Sequence, residues 1–242
     1  MPHVKLSGGL PAHLTIPPVG PGPWPGVVVI HEVFGVNDDI REQVGRLAAA
    51  GYLALAPDLY RGLGKRRCLL ATFKALFKGE GQAFDDIEAA RAELAGRADC
   101  TGRVGVLGFC MGGGFALLAA SRGFDAAAPN YGPLPKDLDL SGSCPMVASY
   151  GGRDWENPGA AGKVEAALTR AGVVHDVKEY PGAGHAFMGR ANSDPFFRVA
   201  RIGYHAPSAE DAWGRILRFF DEHLRGPRPG SSPPGTTPPD GA

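Results

Sequence analysis

Residues 104–115 read VGVLGFCMGGGF, an apolar run carrying one cysteine, with glycines at 105, 108, 112, 113 and 114. The part up to Phe109 has the branched apolar side chains of a buried strand, and the part after Met111 opens a helix. Between them Gly108, Phe109, Cys110, Met111 and Gly112 make a Gly-x-Cys-x-Gly turn, the pattern of a nucleophile elbow with cysteine where serine is commoner. A residue on so sharp a strand-to-helix turn is held in a strained backbone conformation, and its neighbours must lack side chains for strand and helix to approach. The Cys110 thiol is then expected above the strand end with a helix N-terminus beneath it. That setting lowers a thiol pKa and offers the Met111 N–H as one donor to an oxyanion. No GxGxxG can be laid over these glycines, and no Gly-Lys-Ser/Thr follows them, which excludes a dinucleotide fingerprint and a phosphate loop. The alternative is a buried structural cysteine beside a packing turn.

Outward from this stretch, strand-like runs alternate with segments of helical period. VVVI (27–30), YLALAP (52–57), RVGVLGF (103–109), AAAPNYG (126–132), PMVASYGG (145–152) and VVHDVKEY (173–180) read as strands. Helices are expected over 39–51, where Ile40, Val44, Leu47 and Ala48 share a face and Gly51 closes the segment, over 80–96, over 111–122 and near 159–171. A last one spans roughly 208–224, with Trp213, Ile216, Leu217, Phe220 and Leu224 on one stripe. This alternation predicts an α/β fold with a mostly parallel sheet and helices on both faces.

Composition narrows the function classes. The chain has 242 residues, 44% of them hydrophobic, and no net charge at neutral pH. A single domain over 1–225 suits that length, and the Pro-, Gly- and Ser-rich stretch 226–242 is expected to be disordered. No basic stripe interleaved with aromatics suggests nucleic acid, and no apolar run is long enough for a membrane span. The opening MPHVKLSGGL is too polar for a secretion signal, and Cys68, Cys100, Cys110 and Cys144 show no CxxC or metal-finger spacing. Together these predict a cytoplasmic protein with reduced thiols.

An elbow nucleophile is followed in chain order by an acid after a later strand and a histidine after the last strand. PMVASYGGRDW puts Asp154 just past one strand end, and VKEYPGAGHAF puts His185 just past another. The imidazole can orient and deprotonate the thiol while the carboxylate fixes its tautomer. Taken singly, Asp154 also reads as a loop acid or helix cap and His185 as a solvated loop histidine. Their order favours a triad.

HEVFGVNDDIREQVGRLAAAGYLALAPDLY, GRVGVLGFCMGGG, YGGRD and GAGHAF together resemble the dienelactone hydrolase family of α/β-hydrolases, over roughly residues 6–224. The resemblance implies hydrolysis of a small carboxylic ester or lactone through a thioester at Cys110, with His185 and Asp154 completing the triad and no metal or organic cofactor. It implies that Glu32, in HEVFG, faces the thiol at rest and helps take its proton when substrate arrives. It makes the Val33 N–H the second oxyanion donor, and it points to Arg190, five residues after His185, as a carboxylate clamp one place later than in the family pattern. His31 reads as structural. Tyr131, Trp155 and Tyr60, at strand ends on the active edge, line the pocket or pack beneath it. The segment 61–80 carries Arg61, Lys65, Arg66, Arg67, Lys74 and Lys78 with no acid before Glu80. It is either a basic lid that draws anionic substrates or an amphipathic surface helix with Leu69, Leu70, Phe73, Leu76 and Phe77 turned inward. A broad esterase or thioesterase, and a non-hydrolytic ligand-binding or thiol-sensing protein, are the other readings of the same fold. Partners are limited to a small ester or lactone, and self-association is left open between a monomer and a weak homodimer.

Overall fold

Every second residue of the central strands faces the same layer of helices, and that alternation organises the molecule. Val28 and Ile30 enter one hydrophobic cluster and Val27 and Val29 the other, and Leu53 and Leu55 part in the same way from Ala54 and Ala56. The structure, a computed structural model, describes residues 3–18, 20–190 and 203–226. The tail expected from residue 226 lies, from 227 on, outside the described residues.

Eight strands form one sheet: β1 (His3–Lys5), β2 (Pro11–Thr15), β3 (Trp24–Ile30), β4 (Leu53–Pro57), β5 (Cys100–Phe109), β6 (Ala126–Asn130), β7 (Met146–Gly151) and β8 (His175–Tyr180). Their order is β1-β2-β4-β3-β5-β6-β7-β8, and β2 alone runs against its neighbours. The sequence reading omitted β1 and β2. One is three residues long, and the other, PAHLT, opens on proline and has no continuous apolar run. α1 (Asp38–Ala49) and α6 (Ala206–Phe220) cover one face, through Ile40, Val44 and Leu47 and through Trp213, Ile216 and Phe220. α3 (Gln82–Ala95), α4 (Met111–Ala119) and α5 (Ala160–Ala171) cover the other, through Phe84, Ile87, Leu94, Phe115, Val164 and Leu168. α1 begins where the Asn37 side chain accepts the Ile40 N–H at 3.0 Å. No helix among the described residues is long and apolar enough to cross a membrane.

The basic segment forms α2 (Lys65–Lys78). Leu76 is buried and Leu69 and Phe73 pack against the core, but Leu70 is 84% exposed and Phe77 56%, so these two do not turn inward. The buried line of α2 runs through Thr72 and Leu76, and a helix on so shallow a seat cannot bury positions a third of a turn away.

The connections set the site. From β3 the chain passes to β4 on one side, and β5 lies against β3 on the other, so the crossovers diverge between β3 and β5. A crevice opens outside the carboxyl ends of parallel strands at such a point. Ile30 pairs with Gly108 there, which brings the residues that follow each strand, Glu32 and Cys110, to one edge.

Candidate active site

Cys110 joins β5 to α4 with φ 51° and ψ −120°, a conformation L residues rarely adopt. Its N–H donates to the Asn130 carbonyl at 3.1 Å and its carbonyl accepts the Gly114 N–H at 3.2 Å, so both flanks of the bend are tied down. The glycines leave the room that this needs. A Cβ on Gly108 would lie 1.9 Å from the Gly112 carbonyl oxygen, and one on Gly112 would lie 2.2 Å from that of Ile30.

The bend presents the thiol to His185. The Cys110 Sγ lies 3.1 Å from His185 Nε2, and His185 Nδ1 lies 2.8 Å from Asp154 Oδ2. With Nδ1–H donating to the carboxylate, Nε2 is left to accept the thiol proton. Asp154 is held in turn by the Glu156 N–H on Oδ1 at 2.9 Å and the Asn157 amide on Oδ2 at 3.1 Å. Both His185 and Asp154 are buried.

Burial governs the charges here. It pushes the Cys110 thiol up, and the opposing pulls of His185 and the Met111 N–H do not overcome it. The lowered thiol pKa expected from the helix N-terminus is therefore not found: the Met111 N–H at that terminus acts in the expected direction, and desolvation outweighs it. Burial alone would lower the His185 imidazole, but Asp154 and the sulfur together raise it. Burial would raise Asp154, and the bonds from His185, Asn157 and Glu156 bring it below the ordinary range.

Glu32 is buried beyond the end of β3 and accepts the Tyr131 hydroxyl at 3.4 Å. The hydrogen bond of the Sγ is to the imidazole. Burial, then the nearby Asp39 carboxylate, push Glu32 up to about 7. A carboxyl group raised above its unfolded value of 4.5 favours the folded state when protonated. That contribution is whole below the unfolded value and is lost as the pH rises through about 7. Glu32→Gln, neutral throughout, is therefore expected to leave the melting temperature almost unchanged near pH 4 and to raise it by roughly 5 °C or more near pH 8. Thermal unfolding at the two pH values checks this, and an equal shift at both would refute it.

The remaining candidates divide between centre and rim. Tyr131, with φ 39° and no exposure, stacks edge-on against the His185 ring at 5.4 Å, so it lies at the centre. The Tyr60 hydroxyl donates to the Val33 carbonyl at 3.0 Å, which fixes the turn carrying Val33. His31 is fully buried and clamps the same turn: the Leu59 N–H donates to its Nε2 at 3.1 Å, and its Nδ1–H donates to the Glu32 carbonyl at 2.6 Å. Trp155 is 66% exposed on the surface. The Arg190 guanidinium bonds Glu42 at 3.0 Å and Tyr204 at 3.3 Å and lies 4.0 Å from Glu210, while its backbone N–H donates to Asp39 at 3.0 Å.

Three residues of this neighbourhood escaped the sequence reading: Asp39, Glu156 and Asn157. Asn157 carried a usable signal, since an amide three residues after a candidate acid can close a turn on it. Asp39 and Glu156 carried none. Among the described residues no group of three or more histidines, cysteines and acids is placed to hold a metal ion.

The sequence profile of the dienelactone hydrolase family matches residues 10–224. A Yersinia pestis protein provisionally named a carboxymethylenebutenolidase is 33% identical over 235 residues, covering 88% of this chain and 84% of that protein. The carboxymethylenebutenolidase of Pseudomonas putida is 32% identical over 211 residues, 82% of this chain and 86% of its own. A crystal structure from Klebsiella pneumoniae, provisionally titled a dienelactone hydrolase, superposes with a TM-score of 0.72 at 28% identity, covering 91% of this chain and 96% of that one.

Proposed function

Since the chain belongs to the dienelactone hydrolase family, and so to the carboxylic-ester hydrolases, we propose that it cleaves a small ester or lactone through a thioester on Cys110. The observation that carries this reading is the 3.1 Å approach of His185 Nε2 to the sulfur of a residue at φ 51°. On substrate binding His185 takes the thiol proton, with Glu32 as a second acceptor in reach of the site, and the sulfur attacks the carbonyl carbon. The carbonyl oxygen becomes an oxyanion between the Met111 and Val33 N–H groups. As the tetrahedral species collapses, the imidazolium returns its proton to the leaving alkoxide and the thioester remains. Water then loses a proton to His185 and attacks the thioester, and the second collapse expels the sulfur, which recovers the proton as the acid departs.

Tyr131 shapes the floor of the pocket in this reading, Tyr60 steadies the oxyanion turn and Trp155 borders the mouth. A clamping role for Arg190 would require it to leave Glu42 and Tyr204. We read residues 1–225 as one domain, in keeping with a family match over 10–224. We read the setting as the cytoplasm, on four scattered cysteines without a pairing pattern.

The test is to trap the intermediate. Brief incubation with p-nitrophenyl acetate, an acid quench and peptide mass mapping should find one acetyl group on Cys110, removable by hydroxylamine. Steady turnover with the label on another residue, or turnover that survives complete alkylation of Cys110, would refute the thioester.

A further inference from the structure

Glu156 stands two residues after Asp154 and is absent from the triad logic, yet its Oε2 lies 3.7 Å from His185 Nε2. That is the nitrogen facing the Cys110 sulfur at 3.1 Å. Its side chain is 38% exposed, so solvent, and a solute approaching the sulfur from solvent, can reach the carboxylate. Among the described residues no lysine or arginine pairs with it. The other acids of this neighbourhood, Glu32, Asp39 and Asp154, are buried. The cation best placed by sequence to balance them, Arg190, is held at the surface by Glu42 and Glu210, and the Lys65 ammonium sits over the Phe34 ring at 4.5 Å.

An ester carbonyl within bonding reach of the sulfur must bring the rest of a small substrate within several ångströms of Oε2. A carboxylate beside the reacting atoms repels an anionic substituent brought close to it and leaves a neutral one alone. From this we infer that Glu156 is a charge filter at the mouth of the site, turning it against anionic esters and toward neutral or cationic ones. The inference rests on the proposed thioester hydrolase and specifies its substrate class.

Two esters of equal acyl length separate charge from shape: p-nitrophenyl butyrate, which ends in a methyl group, and the mono-p-nitrophenyl ester of succinate, which ends in a carboxylate. Wild type should favour the butyrate in kcat/KM. In Glu156→Gln the succinate-to-butyrate ratio should rise about 5- to 10-fold, the size expected for like charges about 6 Å apart in a half-exposed site. Any effect of the lost charge on His185 acts on both esters alike and cancels in the ratio, so the succinate value should gain on the butyrate value whatever happens to the common rate. Raising salt from about 20 mM to about 0.5 M should lift the ratio in wild type and leave the variant unchanged. A ratio unaltered by the substitution, an equal fall for both esters, or a wild-type preference for the succinate ester would each overturn the filter while the hydrolase stands. Cleavage of neither ester by wild type would overturn both.

Discussion

Alanine in place of Cys110 is expected to lower kcat/KM for ester hydrolysis by about 10³-fold or more, with the melting temperature within a few degrees of wild type. The size follows from the geometry. His185 and Asp154 are aligned on a single acceptor, and without the sulfur the imidazole can act only on water, with no covalent step to divide the barrier. The backbone donor at Met111 survives the substitution, so some rate above the uncatalysed reaction remains. Stability should change little, because Cys110 is only partly buried and its backbone bonds to Asn130 and Gly114 do not involve the side chain. Steady-state kinetics on a neutral p-nitrophenyl ester checks the claim. Turnover within tenfold of wild type would leave the residue a structural cysteine after all, and a collapse in melting temperature would make the kinetic loss uninformative, in which case Cys110→Ser becomes the deciding variant.

Cys110 was legible because its constraints are local. A strand entering a helix through a one-residue bend needs glycines two places either side, and that requirement can be counted along the chain. The meeting of Asp154 with His185 was legible at one remove, through the rule that parallel strands deliver their carboxyl ends to a common edge. What could not be read depends on packing between distant segments. The carboxylates that engage Arg190 come from α1 and α6, about 150 and 20 residues away in the chain, and no local pattern announces that those two helices lie close enough for Arg46 of one to pair with Glu210 of the other. The same holds for Glu156, whose position over the imidazole follows from how the turn after β7 curls. The thiol pKa failed for a related reason: the helix N-terminus is visible in sequence, whereas the depth of burial that opposes it is a property of the whole fold. The exposed Leu70 and Phe77 make the point again, since a helical apolar stripe predicts a buried face but not how wide the seat beneath it is.

Gly112→Ala is expected to cost about 3–5 kcal/mol or more and to leave little soluble, folded protein, although alanine is by far the better helix former. Three successive glycines at the start of α4 forgo roughly 2–3 kcal/mol of helix propensity relative to alanine. Their retention in a buried helix implies that the space is needed. A Cβ at Gly112 would sit 2.2 Å from the Ile30 carbonyl oxygen and 2.8 Å from that of His31, and both are backbone atoms that no rotamer change can move aside. The collision falls on the end of β3, the segment that carries Glu32 and Val33 to the sulfur. Relief would have to push that strand away from β5, where Ile30 pairs with Gly108, so stability and the oxyanion turn would fail together. Gly162→Ala in α5 is the control, because nothing lies within 4 Å of its added Cβ, and it should stabilise by roughly 0.5–1 kcal/mol. Urea unfolding of the two variants decides the matter. A Gly112→Ala protein as stable as Gly162→Ala would mean that α4 does not pack against β3 as closely as the elbow demands, and the placement of Cys110 beside His185 would lose its foundation.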